Sequence, residues 1–179
     1  SLYHIKFDGS EQIDISDQLK QEAVNPAPFS GSIGDFAISS NSGQSVTIGI
    51  TEAFPFLAGQ NGASIAIPSG ALPQIEKSIT LNNFSNVTFV SGDIGIQITN
   101  DLNFVLGQPV NIELFDVGNS TTVDAVVFSS TISANGGTSQ QSFDLAGKTM
   151  SNNLKVIITG NEDGTGGTPV TINESLSFS

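Results

Sequence analysis

Apolar residues in the second half of this chain fall on alternate positions, in runs too short for anything but strands. Ile94, Ile96 and Ile98 alternate with Gly95 and Gln97, and Val110, Ile112 and Leu114 with Asn111 and Glu113. A period of two puts such residues on one face of a β-strand, whereas a helix would scatter them around its circumference. Further strands are expected at 78–81, 87–90, 125–132, 141–145 and 154–159, with 170–172 and 176–178 closing the chain. Between them stand breakers: Ser91-Gly92, Gly107-Gln108-Pro109, Gly118-Asn119, Asn135-Gly136-Gly137, Gly147 and the run from Gly164 to Gly167. Short strands with turn signals at this density specify antiparallel sheets packed face to face.

The N-terminal part is more mixed. Leu2, His4 and Lys6 alternate with Tyr3, Ile5 and Phe7 ahead of Asp8-Gly9, which reads as a hairpin turn. A short helix is expected over 17–24, capped by Asp17 and ended by Asn25-Pro26-Ala27-Pro28. Segment 45–60 also matches 93–108 without a gap, pairing Ile48 with Ile96, Ile50 with Ile98, Phe56 with Phe104 and Gly59 with Gly107. Each half of that match reads as a strand, a polar bend and an apolar stretch ending at glycine. The expected organisation is therefore a β-rich N-terminal unit over 1–78 and an immunoglobulin-like sandwich over 79–179. The alternative is a single jelly-roll-like sandwich.

Composition narrows the function classes. Charged residues are 12 % of the chain, and five Lys+Arg face seventeen Asp+Glu for a net charge of −12. Such a field repels polyanions, which argues against nucleic-acid binding. No apolar run approaches the roughly 18 residues of a membrane span. With no Cys and a single His (His4), the chain has no thiol chemistry and no second imidazole. No G-x-S-x-G elbow accompanies His4, so a nucleophilic serine is not expected. Trp is absent and Tyr3 stands alone, which removes the aromatic platforms of most sugar-cleaving and sugar-stacking sites. Starting at Ser1 with no basic–apolar leader, the chain reads as a mature or trimmed segment. Its Ser/Thr/Asn/Gly-rich, Cys-free character is that of a secreted, cell-surface or periplasmic β-protein.

Within 79–160 the run Ser91-Gly92-Asp93-Ile94-Gly95-Ile96-Gln97-Ile98-Thr99-Asn100 leads into Asp101-Leu102-Asn103-Phe104, then Val110-Asn111-Ile112-Glu113-Leu114. After these come Asn135-Gly136-Gly137-Thr138-Ser139 and Phe143-Asp144-Leu145-Ala146-Gly147-Lys148. This order of signals resembles the LEA-14-like family of immunoglobulin-type sandwiches. The chain departs from it in the Asp101-Leu102-Asn103 spacing and in the acidic-glycine loop near Glu162. The resemblance implies a fold and a non-enzymatic role, and carries no site residue over.

Two features remain as candidate sites. Glu162 and Asp163, in Asn161-Glu162-Asp163-Gly164, together with the acids at 14–17, are the oxygen ligands calcium would take, although the spacing of a calcium loop is missing. Phe54, Pro55, Phe56 and Leu57 form an apolar stretch broken by proline, suited to plugging a sandwich end or docking a partner. The terminal segments 2–7 and 176–178 are strand-like and suited to pairing within the domain or with a neighbour. The reading is a non-catalytic extracellular or cell-envelope module, a structural subunit or adhesin-type domain. It needs no cofactor and binds other subunits or itself through edge strands. A glycan or small-ligand binder, calcium-dependent or not, is the alternative.

Overall fold

The computed structural model describes residues 45–81 and 84–179. The hairpin over Asp8-Gly9, His4, the helix at 17–24 and the acids at 14–17 lie outside them. The described chain is an all-β antiparallel sandwich. Its strands are β1 (Ile48–Gly49), β2 (Ser64–Ala66), β3 (Gly70–Thr80), β4 (Asn86–Thr88), β5 (Asp93–Asn100) and β6 (Val110–Asp116). They continue as β7 (Thr121–Phe128), β8 (Gly137–Asp144), β9 (Thr149–Ser151), β10 (Asn153–Glu162), β11 (Pro169–Thr171) and β12 (Ser177–Phe178). One helical turn, α1 (Ile50–Ala53), and a 3-10 turn (Pro55–Leu57) follow β1.

Two four-stranded sheets run β1-β12-β5-β8 and β3-β10-β6-β7, and two small ladders pair β2 with β11 and β4 with β9. The pairings β1·β12, β2·β11, β3·β10, β4·β9, β5·β8 and β6·β7 are nested one inside the next around the 117–120 turn. The described chain is thus one long antiparallel ribbon folded at that turn. Rolling the ribbon adds the contacts β12·β5 and β10·β6 and divides it into two facing sheets. The sequence favours an immunoglobulin-like order with the jelly roll as the alternative; the nested ladders follow the alternative, because pairing across the whole ribbon is not written in local periodicity. The position between 78 and 79 falls inside β3, whose partner β10 belongs to the same sheet as β6.

Alternation decides which side faces inward. Val110, Ile112 and Leu114 of β6 are buried, as are Leu154 and Ile158 of β10, Phe128 of β7 and Ile98 of β5. They join Ile48, Ile75, Phe143 and Phe178 in one core, and each large aliphatic or Phe side chain buried contributes about 1.5–3 kcal/mol. Outward positions carry Ser, Thr, Asn and Gln, so the sheets need few charges. All three described lysines are ion-paired: Lys77 with Glu52 at 2.7 Å, Lys148 with Asp124 at 2.9 Å, and Lys155 with Glu76 at 3.0 Å.

Two segments depart from the alternation pattern for identifiable reasons. Ile48 and Ile50 read as one strand, but the strand stops at Gly49 and Ile50 opens α1, which turns the following apolar residues across the end of the sandwich. β3 begins at Gly70, well before the expected 78, because Pro73 hides its first half; proline is tolerated there because β3 is an edge strand. The two similar segments also find a common explanation. β1 and β5 run in the same direction on either side of β12 and leave the sheet toward the same region, where Phe54 and Phe104 meet edge-to-face at 5.4 Å.

Candidate functional site

Among the described residues, the buried side chains of Asn100, Asp116 and Glu162 hold loops, and each resembles a chemical site. Asn100, at the end of β5, is fully buried. Its Nδ2 donates to Phe104 O and Ile132 O at 3.0 Å each and to Ser133 O at 3.2 Å, while Oδ1 accepts Leu102 N at 3.1 Å. One amide thus ties the β5–β6 connection to the β7–β8 connection, beside the reciprocal backbone bridge of Leu106 and Ile132. Asp116, at the fold of the ribbon, accepts Ser151 N and Asn119 Nδ2 at 2.7 Å, Asn119 N at 3.1 Å and the Ser151 hydroxyl. Burial pushes its carboxyl up, but those four donors outweigh burial and hold it below the usual carboxylate range.

Glu162 is the third. It is 4 % exposed, and its two oxygens accept Gly107 N at 2.8 Å and Gly164 N at 3.1 Å. The chain approaches so closely here that a Cβ on Gly107 would collide with the backbone of Glu162 and Asp163, so this position requires glycine. Burial pushes the Glu162 carboxyl up, against the two backbone donors. A glutamate whose folded pKa lies above its unfolded one binds its proton more tightly when folded. Stability therefore falls as pH rises from the ordinary glutamate value through the raised one. Replacing Glu162 by glutamine removes that dependence, so the melting temperature of Glu162→Gln relative to wild type should climb with pH across this window; thermal melts on both proteins check it.

As a calcium ligand pair, Glu162 and Asp163 are placed apart: Glu162 is turned inward on backbone N–H groups and Asp163 is exposed. Among the described residues no three His, Cys, Asp or Glu side chains converge as a metal site. The apolar stretch divides too. Phe54 and Leu57 are core residues, while Pro55 and Phe56 face solvent, Phe56 being 51 % exposed.

The outer face of the β3-β10-β6-β7 sheet carries a shallow basin of about 250 Å³. Ile157, Ala125 and Val127 supply its apolar floor, and Gln74, Asn111, Glu113 and Thr159 its polar groups. Sequence reasoning missed it, because its lining comes from four strands and pairing is not written in local periodicity.

The sheet edges differ sharply from one another. β3 is kinked at Pro73 and Gln74, where the ladder to β10 shifts register, and it carries Glu76 and Lys77. β7 bulges at Val123 and turns the charged Asp124 toward β8, where it accepts Asp144 N at 2.8 Å and pairs with Lys148. β1 has only two residues. Charges, prolines and bulges are the devices that keep edges from pairing. β8 has none of them along 137–143: its eight residues, GTSQQSFD, pair with β5 without a register shift, and its one charge is the terminal Asp144.

The direction of the β8 backbone groups follows from three contacts. Leu145 N donates to Gly92 O on the β5 side, Asp144 N donates away from β5 to Asp124, and Thr99 of β5 bonds Ser179 on the β12 side. In an antiparallel pair this parity alternates. Ser139, Gln141 and Phe143 therefore bond β5, while Thr138, Gln140 and Ser142 aim N–H and C=O off the edge of the sheet. All three are exposed, and β5 is the only strand that pairs with β8 among the described residues.

No family model matches the chain, and no curated protein does. Among solved structures it is similar to one described as "Structure of infectious bursal disease virus Gx strain", at 12 % identity and a TM-score of 0.27. That match covers 74 % of this chain and 29 % of the other.

Proposed function

We propose that this chain is a non-catalytic interaction module of the cell surface, periplasm or extracellular space, a structural subunit or adhesin-type domain that binds protein through a sheet edge. The observation that carries the reading is the β8 edge, where Thr138, Gln140 and Ser142 present backbone donors and acceptors that no described residue takes, β7 reaching the edge only at Asp144. The acidic surface supports it by discouraging non-specific association, since the described lysines are already paired. Composition supports the location, through few charges and no cysteine.

The test is a photo-activated cross-linker placed at Gln140 or Ser142 in the cells that make the protein. The reading expects a covalent protein adduct from both positions and none from the exposed loop residue Thr168. Absence of any adduct from the two edge positions contradicts it. Glycan binding is the second reading, favoured by the basin in which amide, carboxylate and hydroxyl groups surround an apolar floor. Saturable glycan-array signal lost in Asn111→Ala would support that reading over the first.

A further inference from the structure

We propose that the strand added to β8 is β8 of a second copy of this chain, joined across a two-fold axis at Gln140. This rests on the edge-binding reading above and names its partner. Among the described residues the unpaired groups are symmetric about that residue: Thr138, Gln140 and Ser142 point off the edge, and the next outward donor, Asp144 N, is already held by Asp124. Antiparallel self-pairing about Gln140 sets Gln140 against Gln140 and Thr138 against Ser142 on either side. Each facing pair exchanges two N–H···O bonds, so the outward donors and acceptors of Thr138, Gln140 and Ser142 are all used.

Charge favours the same occupant and the same register. A copy with net charge −12 is a poor partner for itself almost anywhere else, but 137–143 is uncharged. With Gln140 at the axis, Asp144 lies opposite Gly136 of the other copy, and no like charges face each other across the seam. The side chains continue the pattern. Gln140 Nε2 donates to Gln97 Oε1 at 2.6 Å within one copy, and the two-fold places a second such pair beside it on the outer face. The seam adds one strand pair and little else, so the dimer forms and dissociates with concentration rather than permanently. Repulsion between the acidic bodies opposes it, so salt strengthens it.

The full chain contains no cysteine, so single introduced thiols report the seam without background. Facing residues in a bonded antiparallel pair have Cα atoms about 5.5 Å apart, within disulfide range. Gln140→Cys is expected to oxidise to a covalent dimer at least about tenfold faster than Thr138→Cys or Ser142→Cys alone, whose thiols are kept apart by the register. A mixture of the last two is expected to cross-link as a heterodimer. In parallel, sedimentation of the unmodified chain should show a dimer population that grows several-fold from about 0.01 M to about 0.15 M salt. Gln140→Pro, which removes an outward N–H and leaves the β5 ladder intact, should abolish it without lowering the melting temperature by more than a few degrees.

Equal cross-linking rates at the three single sites, or a monomer at every concentration and salt, overturns the second-copy assignment. If edge adducts formed in cells then carry a different protein, the edge-binding reading survives and its partner is heterologous. If no edge adduct forms, both fall.

Discussion

Asn100→Asp should destabilise the protein by about 4 kcal/mol at neutral pH, although it changes one nitrogen to oxygen. The wild-type Nδ2 faces three carbonyl oxygens, those of Phe104, Ile132 and Ser133, in a site with no exposure. A carboxylate oxygen there meets three acceptors with no donor and no cation. Protonation gives the group one O–H to donate, so the folded variant holds its proton above the ordinary aspartate value. The linkage sign follows: the variant gains stability as pH falls through that raised value, whereas the wild-type amide does not titrate. Chemical denaturation at several pH values checks both parts. A variant that loses less than about 1 kcal/mol at neutral pH would mean the amide does not brace the two loops.

Asp116→Ala should cost about 3 kcal/mol for a related reason with the opposite pH signature. Removing the carboxylate strands Ser151 N and Asn119 N beside the fold of the ribbon, where Gly118 also lies close against Ser151. Because the folded carboxyl sits below the usual range, its contribution is complete above the unfolded aspartate value and is lost as pH drops through the folded one. Wild type should therefore lose part of its stability in that acidic window, and Asp116→Ala should show a shallower loss over the same range. Acid titration of the two proteins by circular dichroism separates them.

The strands whose neighbours lie on both sides were the most readable from sequence. β5, β6 and β10 match their expected positions to within a few residues because burial on one face imposes a strict period. β8 was half hidden. Only Phe143 marks its inward face, and Ser139 and Gln141 occupy inward positions near the open corner of the sandwich without an apolar signal. β2 and β9, three residues each, were missed, because they exist only through pairing with β11 and β4. Pairing itself was not legible: nothing in the sequence of Ile48 states that Phe178 lies beside it.

The same limit explains the polar residues. Asn100 ends a strand and is followed by a short apolar segment, which its sequence context shows, yet the burial of its amide depends on a loop 32 residues away. Asp116 looks like one more turn acid until β9 arrives to cover it with Ser151. Glu162 and Asp163 are adjacent acids in a glycine-rich loop, and only the close approach of Gly107 turns the first inward. Phe54 and Leu57 likewise become core because Phe104 and its neighbours meet them across the end of the sandwich. Periodicity is a local property; these positions are set by contacts between distant parts of the ribbon.

Residue-resolved hydrogen exchange along β8 tests the account most directly, in dilute protein at low salt. Amides of Ser139, Gln141 and Phe143 should exchange at least about a hundredfold more slowly than those of Thr138, Gln140 and Ser142, giving a strict alternation. Uniform protection across 138–143, or slow exchange at the even positions in the dilute monomer, would show that the edge is already covered and would contradict strand addition at β8.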